Sequence, residues 1–290
     1  MFEGVLTALV TPFQDGALDE RTLHELVELQ IAAGVDGVVP CGSTGEAATL
    51  THAEHRRVME VVVAAARGRV RVLAGTGSNS TAEAIALTRH AKEAGADGAL
   101  LISPYYNKPT PEGIVQHYAA VARETSFPLV VYNIPGRTAS NILPGTMARL
   151  AEIEQVVGVK ESCGDFHQVA QLIASTPASF RVLSGDDWAT LPMLALGGAG
   201  VISTASNVAP ADVVELVRAF RSGDLARARD VYYRLLPLLD ALFCETNPIP
   251  VKAALAMRGL IREELRLPLV RLGDANRARL QLALKEFGLL

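Results

Sequence analysis

Eight short apolar runs punctuate the chain, near Gly4–Val10, Gly37–Pro40, Val70–Ala74, Gly98–Ile102, Leu129–Tyr132, Val156–Lys160, Arg181–Leu183 and Gly200–Ser203. Between them the apolar positions recur at helical spacing, as at Leu23, Leu26, Val27 and Ile31, or at Val58, Val61, Val62 and Ala65. Short runs read as strands and the periodic stretches as amphipathic helices. Eight such units in order predict an α/β chain folded as a (β/α)8 TIM barrel rather than an open sheet. After the eighth run one barrel helix remains, near Pro210–Ser222. Three further helical stretches follow, near Asp224–Phe243, Pro248–Arg258 and Asp274–Phe287. They exceed what a barrel needs, so the expected division is a catalytic barrel over residues 1–223 and a C-terminal helical extension over residues 224–290.

Local signals support the helix positions. Thr51-x-x-Glu54 and Ser80-x-x-Glu83 have capping-box spacing, and Thr110-Pro111 places proline at a first helical position behind a cap. Gly34, Gly68 and Gly95 mark the expected helix ends. Ala-Gly-Val/Ala-Asp-Gly recurs at 33–37 and 94–98, which indicates one helix-to-strand corner used twice.

The length of 290 residues is enough to bury a sizeable core, and 49% of them are hydrophobic. No uninterrupted apolar run reaches the ~18 residues of a membrane span. Met1-Phe2-Glu3-Gly4 lacks a basic region followed by an apolar one, so a cytoplasmic location is expected. A net charge of -4 with interspersed signs gives no nucleic-acid stripe, and the cluster Arg67-Gly68-Arg69-Val70-Arg71 reads as a solvated turn. Cys41, Cys163 and Cys244 are far apart, which predicts neither a disulfide framework nor a zinc site.

Candidate chemistry centres on the end of the sixth run. The chain has five lysines, and Lys92, Lys108, Lys252 and Lys285 fall in polar helical or loop contexts, whereas Lys160 follows an apolar strand. Barrels of this type carry catalytic groups at strand ends, and an amine among apolar neighbours gives up its charge more readily than one in water. Lys160 is therefore a candidate Schiff-base nucleophile. A strand-end lysine can instead snorkel to solvent or pair with Glu161 or Asp165. Chain order places Tyr132, at the end of the fifth run, across one ladder from Lys160, where a phenol could carry protons for carbinolamine and imine steps; the alternative is a barrel-end aromatic whose hydroxyl meets water.

Gly42-Ser43-Thr44-Gly45-Glu46 follows the second strand, with glycines that admit a small ligand to the backbone and two hydroxyls for a carboxylate or a proton. It also fits an ordinary turn, with Glu46 beside a helix N-terminus. Arg137, in the loop after the fifth strand, could grip a substrate carboxylate with its planar guanidinium. Tyr105 and Tyr106 offer two phenols after the fourth strand, or packing at an interface. Other signals fail. Gly75-Thr76-Gly77 lacks the third glycine of a dinucleotide loop, and Gly197-Gly198-Ala199-Gly200 lacks the Gly-Lys-Ser/Thr of a phosphate loop. His52 and His55 have no clustered acid for a metal, and Asp186-Asp187 alone does not indicate magnesium. No metal and no separate cofactor is expected.

Taken together, Gly-Ser-Thr-Gly-Glu, Ser-Pro-Tyr-Tyr-Asn-Lys-Pro-Thr, Tyr-Asn-Ile-Pro-Gly-Arg-Thr, Gly-Val-Lys-Glu, Ser-Gly-Asp-Asp and Asn-Pro-Ile-Pro-Val-Lys span the chain almost end to end. In these motifs the chain resembles the pyruvate-dependent Schiff-base lyase and aldolase family, nearest its dihydrodipicolinate synthase branch. That resemblance implies condensation of pyruvate with L-aspartate 4-semialdehyde, on the diaminopimelate route to lysine. It implies a pyruvate imine on Lys160 and a proton relay of Tyr132, Thr44 and Tyr106, with Tyr106 supplied by a neighbouring subunit of a homotetramer built as a dimer of dimers. It further implies Arg137 on the semialdehyde carboxylate, the backbone around Ser43, Thr44 and Ile202 lining the pyruvate pocket, and Gly185 nearby. Lysine-sensitive relatives bind the inhibitor at positions corresponding to Ala47, Ala48, His52, His55, Asn79, Glu83 and Tyr105. Here Glu83 and both histidines also fit capping and a solvated first helical turn, and Ala47 stands where some sensitive enzymes have serine. Ser43 replaces a common threonine but keeps the hydroxyl. Alternatives are an N-acetylneuraminate lyase-like or other 2-oxo-acid aldolase on the same imine, against which Arg137 weighs, and a non-catalytic sensor, against which Lys160 and Tyr132 weigh.

Overall fold

The computed structural model describes all 290 residues. Eight parallel strands close into a barrel: β1 (Gly4–Ala8), β2 (Gly37–Val39), β3 (Arg71–Gly75), β4 (Gly98–Ile102), β5 (Leu129–Asn133), β6 (Val156–Glu161), β7 (Arg181–Ser184) and β8 (Gly200–Ser203). Each pairs with its neighbours in chain order, and β8 closes on β1. All eight apolar runs are strands, with ends within two residues of expectation. The outer helices are α1 (Glu20–Ala33), α2 (His52–Ala66), α3 (Thr81–Ala94), α4 (Pro111–Thr125), α5 (Pro144–Ala151), α6 (Phe166–Ser175), α7 (Thr190–Ala195) and α8 (Pro210–Arg221). The C-terminal helices are α9 (Leu225–Leu242), α10 (Ile249–Met257) and α11 (Asp274–Phe287). No helix is long and apolar enough to cross a membrane.

Alternation along the strands sorts two apolar layers, because successive side chains point to opposite faces. Inside the barrel, Phe2, Leu6, Leu73, Val130 and Ile202 pack together beneath Tyr132. Outside, Val131, Val159 and Val201 meet the helices in a layer that continues without a break to Leu238, Val251 and Leu280 of the C-terminal helices. The extension therefore shares the core of the barrel.

Some local expectations change. Thr51 and Glu54 form the reciprocal capping box, and Thr110 caps α4 ahead of Pro111. Ser80 occupies the N-cap of α3 but its hydroxyl makes no cap, and the Glu83 carboxylate that would complete a capping box meets the Ser78 hydroxyl and His52 Nε2, the latter at 3.2 Å. Gly34 and Gly95 end their helices in the left-handed conformation, but at the end of α2 that position belongs to Arg67, with Gly68 following it. The basic cluster there is a paired surface, with Arg69 on Glu28 and Arg71 on Asp97. Lys252 lies on a helix as expected, but it is fully buried on α10 and its polar partners are inside the protein.

Candidate active site

The site lies at the C-terminal mouth of the barrel. In the β5–β6 ladder Tyr132 is paired with Lys160, and both side chains point inward by the same alternation that sends Val131 and Val159 outward. The Lys160 amine sits 4.2 Å from the centre of the Tyr132 ring, and the residue is 6% exposed. Snorkelling and pairing with Glu161 or Asp165 are both ruled out. Glu161 faces the helix layer, where Asn133 Nδ2 donates to its two oxygens at 2.9 and 3.1 Å and Cys163 N donates at 2.8 Å. Asp165 caps α6.

Burial pulls the Lys160 amine from 10.5 down to about 8; the Asp186 and Asp187 carboxylates draw it partly back up, and the Arg137 cation pushes it down again. Burial likewise raises the Tyr132 phenol, helped by Asp186 and opposed by Arg137. Asp186 is itself raised, chiefly by burial and against the pull of Lys160. The result is an amine with an appreciable neutral fraction near pH 8 beside a phenol that keeps its proton. That combination suits attack on a carbonyl followed by proton delivery to the departing hydroxyl.

A cavity of about 180 Å³ surrounds the amine, lined among others by Ser43, Thr44, Arg137, Gly185, Asp186, Thr204 and Asn247. Gly185 is there because nothing larger fits: a Cβ would lie 2.0 Å from Ser162 Oγ and 3.0 Å from Lys160 Cε. Thr44 Oγ1 lies 3.3 Å from Thr204 Oγ1 and accepts from Asn247 Nδ2 at 2.9 Å. Arg137 sits on a single helical turn, Pro135–Thr138, rather than in an open loop, and its Nη2 donates to the Asn247 carbonyl at 3.0 Å. Tyr106 is 89% exposed with φ +69°, outside this cavity. Ile202 is fully buried in the apolar layer below, and Thr204, two residues on and on the same face, takes its place in the wall.

The adjoining cavity, about 540 Å³, shares Ser43, Tyr132, Arg137 and Asn247 with the first. Ala47, Ala48, His52, His55, Glu83 and Tyr105 line it. Asn79 stands behind this wall, donating through Nδ2 to the Tyr105 carbonyl at 3.1 Å. His52 fits the solvated first turn, but His55 does not: it is buried, its Nδ1 has no partner, and burial drops it to about 4.

Asp186, Thr204 and Asn247 were missed as site residues from sequence. Ser-Gly-Asp-Asp and Asn-Pro-Ile-Pro-Val-Lys were visible motifs, but only the closed barrel and the returning C-terminal segment bring them to Lys160. Glu46 also departs from expectation: it makes an ion pair with Lys252 instead of serving a helix N-terminus.

The profile of the dihydrodipicolinate synthetase family matches residues 1–287. The chain is 55% identical over 290 residues, covering all of both chains, to a protein of Syntrophus aciditrophicus named 4-hydroxy-tetrahydrodipicolinate synthase. It superimposes at a TM-score of 0.98, with 43% identity and full coverage of both chains, on a chloride-inhibited dihydrodipicolinate synthase of Acinetobacter baumannii complexed with pyruvate. A lysine-bound dihydrodipicolinate synthase of Cyanidioschyzon merolae matches at 0.97 and 40% identity, over 100% of this chain and 99% of that one. With a closed eight-stranded barrel, a buried lysine facing a tyrosine at its mouth, and similarity along its whole length, the chain belongs to the dihydrodipicolinate synthetase family.

Proposed function

We infer that this chain condenses pyruvate with L-aspartate 4-semialdehyde to 4-hydroxy-tetrahydrodipicolinate, as a lyase of the class I aldolase type in lysine biosynthesis. The observation that carries this reading is the Lys160 amine, buried beside Tyr132 without a carboxylate in contact and drawn down to about 8. The neutral amine adds to the pyruvate keto carbon, and Tyr132 supplies the proton with which the oxygen leaves as water. Loss of a methyl proton from the imine gives an enamine, whose carbon attacks the aldehyde and leaves its oxygen as a hydroxyl. The amino group of the second substrate then displaces Lys160 and closes the ring, so one water is lost overall. Ser43 and Thr44 suit the pyruvate carboxylate. Arg137, at the entrance, suits the carboxylate of the semialdehyde.

Thr44 and Tyr132 are two members of the proposed relay. Its third, Tyr106, is exposed in one subunit and would be contributed by a neighbour within a homotetramer. Three free thiols fit a reducing, cytoplasmic setting. The test is borohydride reduction in the presence of pyruvate, with a parallel unreduced assay coupled to a dihydrodipicolinate reductase. A pyruvyl increment on Lys160 with coupled turnover is expected. An adduct without turnover would move the second substrate to a sugar-acid or other aldehyde, and no adduct would overturn the imine.

A second reading concerns the larger cavity. We propose that it takes lysine as an inhibitor, because six of the seven candidate residues line it and one of them, Glu83, is a carboxylate that an ammonium could share with Ser78 and His52. An initial rate unchanged by millimolar lysine at subsaturating pyruvate would remove this proposal.

A further inference from the structure

The turn that carries Ser43 and Thr44 is held from outside the barrel. Glu46, two residues past Thr44, has φ +54°, a left-handed conformation that glycine or asparagine adopts more easily than a glutamate. Its carboxylate is wholly buried and meets Lys252 Nζ of α10 at 2.5 Å, while its other oxygen accepts from Arg266 N at 3.1 Å. Lys252 Nζ also donates to the Thr11 carbonyl at 3.0 Å and stands 4.4 Å from the centre of the Phe13 ring. Thr11 Oγ1 in turn donates to the Gly45 carbonyl at 2.7 Å. The turn is thus gripped on both sides of Gly45 by groups that converge on one ammonium, and the same C-terminal segment reaches Thr44 through Asn247.

We propose that Lys252 is a positioning residue for the reaction: its buried ion pair with Glu46 fixes the turn that presents Ser43 and Thr44 to the pyruvate pocket. Lys252 touches no substrate in this arrangement. It acts through Glu46 and Thr11 on a backbone whose own bonds, from Gly45 N and Ala47 N to the Gly42 carbonyl at 3.0 and 3.3 Å and from Glu46 N to the Ser43 carbonyl at 3.2 Å, close the turn on itself without fixing it to the C-terminal helices. A buried pair of opposite charges is costly to assemble, and two apolar residues of similar volume would fill the same space without that cost but also without a directed contact. A point contact between charges defines the place of the carboxylate, and through the strained residue 46 the orientation of the two hydroxyl-bearing residues before it. The C-terminal helices would then be part of the catalytic apparatus, since their removal frees the turn.

This inference rests on the pyruvate-imine reading above, and the experiment separates the two. The full-length parent, Lys252→Met, and Glu46→Gln/Lys252→Met are compared by thermal melting, by borohydride trapping of pyruvate on Lys160, and by steady-state kinetics in both substrates. The single variant leaves a carboxylate buried without its cation and is expected to lose stability. The double variant removes both charges at nearly constant volume and is expected to melt close to the parent. Despite that recovery, it should show kcat reduced about tenfold and KM for pyruvate raised about fivefold, with KM for the semialdehyde, held by Arg137, changed by less than about twofold. Trapping on Lys160 should persist at saturating pyruvate. A double variant with parental kcat and parental pyruvate KM would show that the pair serves folding alone. If the parent itself traps no pyruvate on Lys160, the imine reading fails instead, independently of the variants.

Discussion

Lys160 and Lys252 are both buried lysines, on β6 and α10, and they sit in opposite settings. At each, burial lowers the pKa of the ammonium, as the cost of desolvating a charge requires. What differs is the partner. Lys252 has a carboxylate at 2.5 Å and a carbonyl at 3.0 Å, so its charge is neutralised and its donors are used. Lys160 has an aromatic ring at 4.2 Å, feels the carboxylates of Asp186 and Asp187 only through space, and has Arg137 opposing them. Burial is common to the two amines, and contact with an anion is what distinguishes them.

The largest effect should come from Lys160. Lys160→Met removes the proposed nucleophile and should lower kcat/KM by about 10³-fold or more, with no pyruvyl adduct detected by mass after borohydride. The same change should stabilise the fold by about 1–3 kcal/mol at neutral pH, because it deletes a desolvated cation that no anion compensates. The sign follows from the depressed pKa. Below about 8 the ammonium is charged in both folded and unfolded states and its burial costs stability, and that cost fades as pH rises from about 8 towards 10.5. Melting curves at pH 7 and pH 10 should therefore differ between parent and variant mainly at pH 7. Equal differences at both would mean the amine is not titrating as described.

Lys252→Met should behave in the reverse sense. Leaving Glu46 buried and uncompensated should destabilise the protein by about 3–5 kcal/mol in urea unfolding. A loss below about 1 kcal/mol would mean water reaches the pair and the contrast between the two lysines is weaker than their geometry implies. Gly185→Ala tests the tightness of the catalytic side. An added methyl meets Ser162 Oγ and the Lys160 stem, and a displacement of the amine by about 1 Å should cost about 10²-fold in kcat. The smallest effect concerns Asp186, which supports the Lys160 charge. In the parent, the rate of pyruvate trapping should rise with pH through about 8. Asp186→Asn should move that inflection to lower pH, and an inflection moved upward or left in place would contradict the role of the carboxylate.

Much of this architecture was legible in the chain. Each strand had to be apolar on both faces because the barrel interior and the helix layer both exclude water, so β1 to β8 announced themselves as short unbroken runs. Period-two alternation then put Tyr132 and Lys160 on one face of neighbouring strands. Capping did not follow from spacing alone. Thr51 and Glu54 paired although Arg266 also binds the Glu54 carboxylate, whereas Glu83 had the right spacing from Ser80 but its carboxylate meets Ser78 and His52. The sequence neighbours of Lys252, from Ile249 to Leu255, are apolar and hold no partner for its charge, while its actual partners are Glu46, Thr11 and Phe13, more than 200 residues away.

By itself the sequence determined the eight strand–helix units, their order around the barrel and the pairing of Lys160 with Tyr132 at its mouth, because periodicity, strand parity and motif are properties of adjacent residues. Only the tertiary structure decided that Asn247 reaches Thr44, that Asp186 rather than Glu161 biases the amine, and that Glu46 and Lys252 meet with both side chains buried. Those outcomes depend on distances across the closed barrel and its C-terminal helices, and electrostatic energy is set by distance and solvent exclusion in space.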